Sequence, residues 1–291
     1  IAKLQQGELK QPTEAIGTLT EVLDIDERNA AALDALTALY QQTEAEHDLA
    51  ELYERRADLA DTPEEAAPFR LALATLLAKD VADRDRALDQ LEMITTDLPW
   101  HEGAIEALEG MLDDAQRQQR VVDMLRPLYE RVENWLGVID LNELRFDLSD
   151  LPAEQVEILV ETAILWEDQG DDLERAFGVT RRAFELVPEG EDTRANLERL
   201  AEATDSWEKV AASYGKCAAE SEDEFVKRQL YDGLATICDE RLNDPRRSLG
   251  ALSKLAELDA GNEDVLLRMD DLCMLLGDWP TLANVLAMKA Q

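Results

Sequence analysis

Nine stretches of this chain repeat one pattern, and the distances between them follow a rule. Each opens on an apolar or small anchor, with apolar residues recurring among the positions three, four and seven on, the spacing of one helix face. The anchors are Ala15, Leu49, Ala87, Val122, Val138, Ala176, Val210, Ser248 and Leu282, at steps of 34, 38, 35, 16, 38, 34, 38 and 34 residues. A period in the mid-thirties is that of helix-turn-helix arrays, in which no unit buries its apolar face alone. The fold this predicts is all-α, a solenoid of about sixteen helices running through residues 1–291 as one array and continuing past both ends as part of a longer one.

The helices expected are 13–25, 29–42, 46–60, 63–80, 84–97, 101–114, 117–131, 135–147, 152–169, 172–187, 191–204, 207–220, 222–242, 244–258, 262–276 and 279–290. Their ends carry recognisable signals. Asp172 caps one anchor helix and Pro188 stops it, while Asp244 and Pro245 open another that ends before Gly261-Asn262. A 38-residue step adds about one helical turn to a 34-residue step. Every second hairpin should therefore have a longer arm, at 63–80, 152–169 and 222–242, giving a super-unit of about 72 residues. The single step of 16 holds one helix and a turn. It predicts an irregular extra helix near 117–147 and a local kink or change of curvature.

Three tryptophans, Trp135, Trp207 and Trp279, stand three residues before an anchor. Rings at equivalent places of a repeat are expected to pack into the preceding hairpin and fix the angle between units. The alternative, an exposed aromatic platform, requires them to face solvent.

With 65 acidic against 29 basic residues the formal net charge is -36. Such a field repels phosphate backbones and anionic lipid, which argues against nucleic-acid binding. The acids are spread along the chain, as a solvated surface in a salty habitat would have them, or as a surface for basic partners. No run approaches the 18 apolar residues of a membrane span, so no membrane insertion is expected. Cys217, Cys238 and Cys273 lie among apolar neighbours and read as small core residues. The first residue is Ile1, not methionine, so the compartment stays open, with the cytoplasm favoured.

The residues resemble the tetratricopeptide repeat family, in the degenerate form of bacterial multi-repeat proteins. The resemblance rests on Leu33, Leu36 and Tyr40 in a first-type helix, Ala176, Ala183 and Pro188 in a second-type helix, Ala87 with Pro99, and the turn Gly277-Asp278-Trp279. Thr37, Glu198 and Asp270 stand where the family has a small residue, which brings close helix contact at those places into question. The resemblance implies a right-handed superhelix whose groove, lined by first-type helices, receives a peptide or partner helix. The positions it implies for that groove are Asp34, Ala38 and Gln41, then Ala195, Arg199 and Glu202, then Asp264, Leu267, Asp271 and Met274. This largely acidic set suits a basic or amphipathic segment. It lacks the cationic cluster that clamps a terminal carboxylate.

Nothing in the sequence points to catalysis. It contains no glycine-rich phosphate loop, no H-E-x-x-H, no C-x-x-C and no nucleophile elbow. His47 and His101 belong to different units and read as surface or capping residues, and no metal or cofactor is expected. The stretch Glu167-Asp168-Gln169-Gly170-Asp171-Asp172 has oxygen ligands for calcium but reads as a helix end followed by a cap. The expectation is a non-catalytic scaffold for protein–protein interaction. Two alternatives are the recognition or regulatory arm of a larger enzyme or secretion machine, and a solenoid that self-associates through its ends.

Overall fold

The computed structural model describes residues 12–289. Sixteen α-helices occur there, numbered in chain order. They are α1 Pro12–Ile25, α2 Ala30–Gln42, α3 Glu46–Asp58, α4 Pro63–Leu77, α5 Arg84–Asp97, α6 Glu102–Glu109, α7 Gln118–Arg131 and α8 Trp135–Leu148, then α9 Pro152–Asp168, α10 Leu173–Leu186, α11 Glu191–Thr204, α12 Trp207–Glu220, α13 Glu224–Glu240, α14 Pro245–Leu258, α15 Glu263–Leu276 and α16 Trp279–Lys289. The described residues contain no strand. The chain divides into two compact units, Ile1–Val138 and Ile139–Gln291, with the division falling inside α8.

Polar residues start the helices as their sequence positions suggest. Asn29, Thr62, Asp172, Asp244 and Asn262 each accept a backbone N–H three residues on, satisfying one of the donors a helix N-terminus leaves open. The turns between the two helices of a unit use a second device. Glu44, Glu133, Asp171, Asp205, Asn243 and Gly277 all have left-handed backbone, with φ between 47° and 68°. Each stands five residues before an anchor, so the ladder of apolar anchors is also a ladder of left-handed turns. The remaining two turns of the described hairpins depart from it. The 3-10 turn Val81–Asp83 precedes α5, and residues 110–117 form a longer loop before α7.

The anchors are the core. Ala15, Ala87, Val122, Ala176, Val210 and Ser248 are fully buried, and Leu49 and Val138 nearly so. Ser248 is tolerated there because its hydroxyl donates to the Ala235 carbonyl at 3.1 Å. In the first unit Ala15, Leu19, Leu33, Leu36, Leu39 and Leu52 join α1, α2 and α3 in one cluster. In the second, one cluster spans α10 to α13 and a further one α13 to α16. The three cysteines are buried, and burial pushes the thiol of Cys217 up to about 11.

The longer arms are there in the second unit, where α9 and α13 have 17 residues and the helices around them 14. In the first unit the expected 63–80 helix is shorter, ending at Leu77; residues 78–80 turn out of it, and the 3-10 turn Val81–Asp83 follows. The expected helix 101–114 also needs correction, since α6 ends at Glu109. The loop that replaces its last turn is held by ion pairs between side chains. Asp114 receives Arg84 at 2.9 Å and Arg117 at 3.2 Å, and Arg117 makes a two-pronged pair with Asp85 at 2.8 Å. These guanidinium hydrogen bonds hold the carboxyls of Asp85 and Asp114 below the usual range.

The 16-residue step is filled by α7 and α8 in direct succession, joined by the left-handed turn at Glu133. Both carry anchors, and α7 packs against α6 as the second helix of its hairpin.

Polar residues at the positions where small ones were expected are matched by a partner on the following helix. Thr37 accepts from Arg56 at 2.9 Å, Glu198 accepts from the Tyr214 hydroxyl at 2.6 Å, and Asp270 pairs with Lys289. A specific polar pair replaces close packing in all three hairpins. At Tyr214 the small residue lies on the other side: a Cβ on Gly233 would meet the Tyr214 ring at 2.6 Å.

The tryptophans divide. Trp207 is 9% exposed, donates its indole N–H to Glu202 at 3.0 Å, and is covered by the Arg241 guanidinium 4.8 Å from its ring. Trp135 is partly buried. Trp279 is 66% exposed, contrary to the packing expected for all three. Trp166 packs against the α10–α13 cluster with Arg175 over its ring at 4.3 Å, while Trp100 is exposed.

Candidate partner-binding groove

Helices α2 and α4 are successive first-type helices, and α3 lies between them as a floor. The opening they leave is a recess of about 920 Å³. Tyr40 and Gln41 line it from α2, Leu49 and Tyr53 from α3, and Leu71, Ala72, Thr75 and Leu76 from α4. A second recess, about 430 Å³, continues toward the N-terminal ends of α2 and α4, with Pro68 lining both. There Arg56 lies over the Phe69 ring at 4.2 Å and reaches Asp34 at 2.7 Å.

The local sequence explains the opening. Apolar residues of α4 at Leu73, Ala74 and Leu77 are buried, which turns 68, 72, 75 and 79 outward at helical spacing. Ala72 has no bulk to fill the gap. Pro68 removes a backbone donor inside α4, so the carbonyl one turn earlier has no helical partner. The rim is polar. Gln41 donates to the Tyr53 hydroxyl at 3.0 Å, and Lys79 meets Glu46 at 3.2 Å. Burial, and then the charges of Asp48 and Glu51, push the Tyr40 hydroxyl above its ordinary pKa. The recess thus combines an apolar floor, two tyrosines and a polar, partly acidic rim.

The sequence-derived groove residues fall in three places. Asp34 and Gln41 are on α2, and both belong to this region, Gln41 in the recess and Asp34 through its pair with Arg56. Arg199 and Glu202 are on α11. Arg199 is gripped by both carboxylate oxygens of Glu167 at 2.8 and 2.6 Å, and Glu202 accepts from Trp207 and from Arg241 at 3.1 Å. Their charges are used within the fold. Asp264, Leu267, Asp271 and Met274 are exposed along α15. Leu71, Ala72 and Thr75 on α4, and Lys79 in the turn after it, were missed, although the spacing that picked out Asp34 and Gln41 on α2 continues through them.

His101 caps α6 through its Nδ1, which accepts the Ala104 N–H at 3.1 Å. His47, Asp48 and Glu51 come within 4.8 Å of one another on the exposed start of α3. In the acidic stretch before α10, Glu167 is taken by Arg199 and Asp172 by the cap of its own helix. No helix among the described residues is long and apolar enough to cross a membrane.

No family model matches the chain, and no curated protein does. Among solved structures it is similar to the tetratricopeptide repeat domain of P58(IPK), at 12% identity and a TM-score of 0.26, covering 98% of this chain and 89% of that one. It is also similar to a tetratricopeptide repeat protein from Parabacteroides merdae, at 14% identity and a TM-score of 0.24, covering 92% and 94%. A third is the Cut9-Hcn1 hetero-tetramer of APC/C, at 14% identity and a TM-score of 0.26, covering 90% of this chain and about half, 52%, of that one. The helical hairpins themselves, with their turns and buried anchors, carry the assignment to a tetratricopeptide-like α-solenoid.

Proposed function

We propose that the chain is a non-catalytic scaffold that binds a segment of another protein in the groove between α2 and α4. The observation that carries this reading is the recess itself, open along two successive first-type helices, with an apolar floor, Glu44 and Glu46 on its edge, and the charges of Asp48 and Glu51 acting on the Tyr40 hydroxyl. A segment with apolar residues on one side and lysine or arginine on the other satisfies both parts. The bound segment is a peptide or a single helix, because the groove is bounded by helix faces and offers no free strand edge to extend.

The test is fluorescence anisotropy with a panel of labelled amphipathic peptides, basic, neutral and acidic, against the chain and its Ala72→Trp variant. That substitution fills the recess from a partly exposed position and leaves the buried residues of α4 in place. Basic peptides are expected to bind, to weaken as salt rises from about 0.05 to 0.5 M, and to lose most of their affinity in the variant. Equal binding of all peptides, or indifference to Ala72→Trp, would sink the reading.

A further inference from the structure

The two recesses of the first unit join at Pro68 into one channel with unlike ends. Helices α2 and α4 run in the same direction along it. Their C-terminal residues Gln41 and Leu76 line the larger recess, and Leu33 and Phe69, nearer their N-termini, line the smaller. Helix α3 runs the opposite way beneath them. At the larger recess the carboxylates of Glu44, Glu46, Asp48 and Glu51 stand against Lys79, with His47 3.6 Å from Glu51. Two helix C-termini and one N-terminus meet there, which leaves a surplus of negative end charge. At the smaller recess Arg28 and Arg56 each hold a carboxylate, Asp61 at 2.8 Å and Asp34 at 2.7 Å. A second property of the channel is that its polar side chains are already engaged within the fold. Gln41 donates to the Tyr53 hydroxyl, the Thr75 hydroxyl to the Leu71 carbonyl at 2.8 Å, and Arg56 to Asp34 and Thr37.

We propose that the occupant of this channel is an amphipathic helix of a partner protein, antiparallel to α2 and α4, with lysine or arginine in its first turn. The inference rests on the groove reading above and narrows it to one backbone form and one direction. An extended segment turns backbone N–H and C=O groups toward the walls, and each one buried without a partner costs free energy. Walls whose polar side chains are already engaged offer few partners, whereas a helix satisfies its backbone internally. From Glu65 to Lys79 the channel is about 21 Å long at the helical rise, so it takes about fourteen residues. Apolar residues at i, i+3 or i+4, and i+7 meet Tyr53, Leu71 and Leu76. Charge sets the direction. The occupant's positive N-terminus and its first-turn cation face the Glu44 and Glu46 edge, while its C-terminus lies at the smaller recess, where the carboxylates are matched. A cation in the first turn opposes the helix's own dipole, so the free segment is poorly helical and becomes ordered in the channel.

The experiment uses the full chain and three labelled synthetic peptides of that length with one leucine pattern, at about pH 8 so that His47 is neutral. One has its lysines in the first turn, the second has the same composition with the lysines in the last turn, and the third is the first with a central proline. Fluorescence anisotropy gives the affinities, and the Cα chemical shifts of the isotope-labelled peptide show its backbone form. The lysine-first peptide is expected to bind about fivefold tighter than the lysine-last one and to turn helical when bound. The proline peptide should bind at least about tenfold more weakly. Lys79→Ala, at an exposed position, frees Glu46 and should strengthen the lysine-first peptide about twofold while leaving the lysine-last one unchanged. Equal affinity of the two isomers, preference for the lysine-last one, or undiminished binding of the proline peptide overturns the proposal. If Ala72→Trp still abolishes binding in those cases, the groove reading stands and only the directed helix fails. If no peptide binds, or Ala72→Trp changes nothing, the groove reading fails and this inference with it.

Discussion

Helices α12 and α16 have the same anchor position, the same tryptophan at the first residue and the same turn before them, yet one is a centre of the core and the other is half a surface. The difference lies in the neighbour. Trp207 and Tyr214 are buried because α13 follows and packs on them, and Tyr214 stacks on Phe184 of α10 with ring centroids 4.8 Å apart. Trp279 and Leu286 lack such a helix among the described residues. In an array of this kind stability is a sum of terms between adjacent helices, so an apolar residue contributes only as much as its neighbour covers.

The largest expected effects test this contrast directly. Tyr214→Ala removes a fully buried ring and should cost about 3–5 kcal/mol, whereas Leu286→Ala should stay within about 0.5 kcal/mol. Urea unfolding of both variants, with hydrogen exchange to locate the loss in α11–α13, checks the pair. Comparable losses in the two would break the comparison.

The glycines sharpen it next. Gly233→Ala drives a methyl to 2.6 Å from the Tyr214 ring and should cost about 1–3 kcal/mol. Gly250→Ala, in α14 with nothing within 4 Å of the added carbon, should instead stabilise by about 0.5–1 kcal/mol. The difference in unfolding midpoint between the two variants measures how tightly α12 and α13 meet.

Tyr214→Phe keeps the ring and removes the hydroxyl that meets Glu198, for an expected cost of about 1–2 kcal/mol. Burial, and then the hydrogen bond to the Glu198 carboxylate and its charge, raise the Tyr214 pKa above the ordinary 10. Above pH 10 the unfolded chain therefore loses a proton that the folded chain keeps. The contribution is fully present below that pH and falls as pH rises past it. Stability measured from pH 8 to 11 should decline less in Tyr214→Phe than in the parent.

The smallest effect concerns the turns. Gly277 adopts its left-handed conformation at no steric cost, but Glu133 holds φ 55° with a full side chain. Glu133→Gly should stabilise by up to about 1 kcal/mol, read as a shift in thermal midpoint, and Gly277→Ala should do the reverse.

Much of the fold was legible in the sequence because helix hairpins are local. The anchors, the caps at Asp172 and Asp244, and the place of all sixteen helices follow from spacings within a few turns of chain. The shortening of the expected 101–114 helix was not legible, because it depends on Arg84, Asp85 and Arg117 meeting around Asp114 across about thirty residues of sequence. The site was legible in part. Periodicity marked Asp34 and Gln41 on α2, but that Arg199 and Glu202 are spent on Glu167, Trp207 and Arg241 emerges only when three helices are side by side.

The sequence by itself determined the period of this protein, the residues that turn inward and the turns between helices, since each is set by contacts within one hairpin. The tertiary structure alone decided that Trp207 is core, because its burial depends on α13 packing over it and on Arg241 covering its ring. It also decided that the gap between α2 and α4 stays open, where Ala72 and Pro68 leave space that no side chain among the described residues fills.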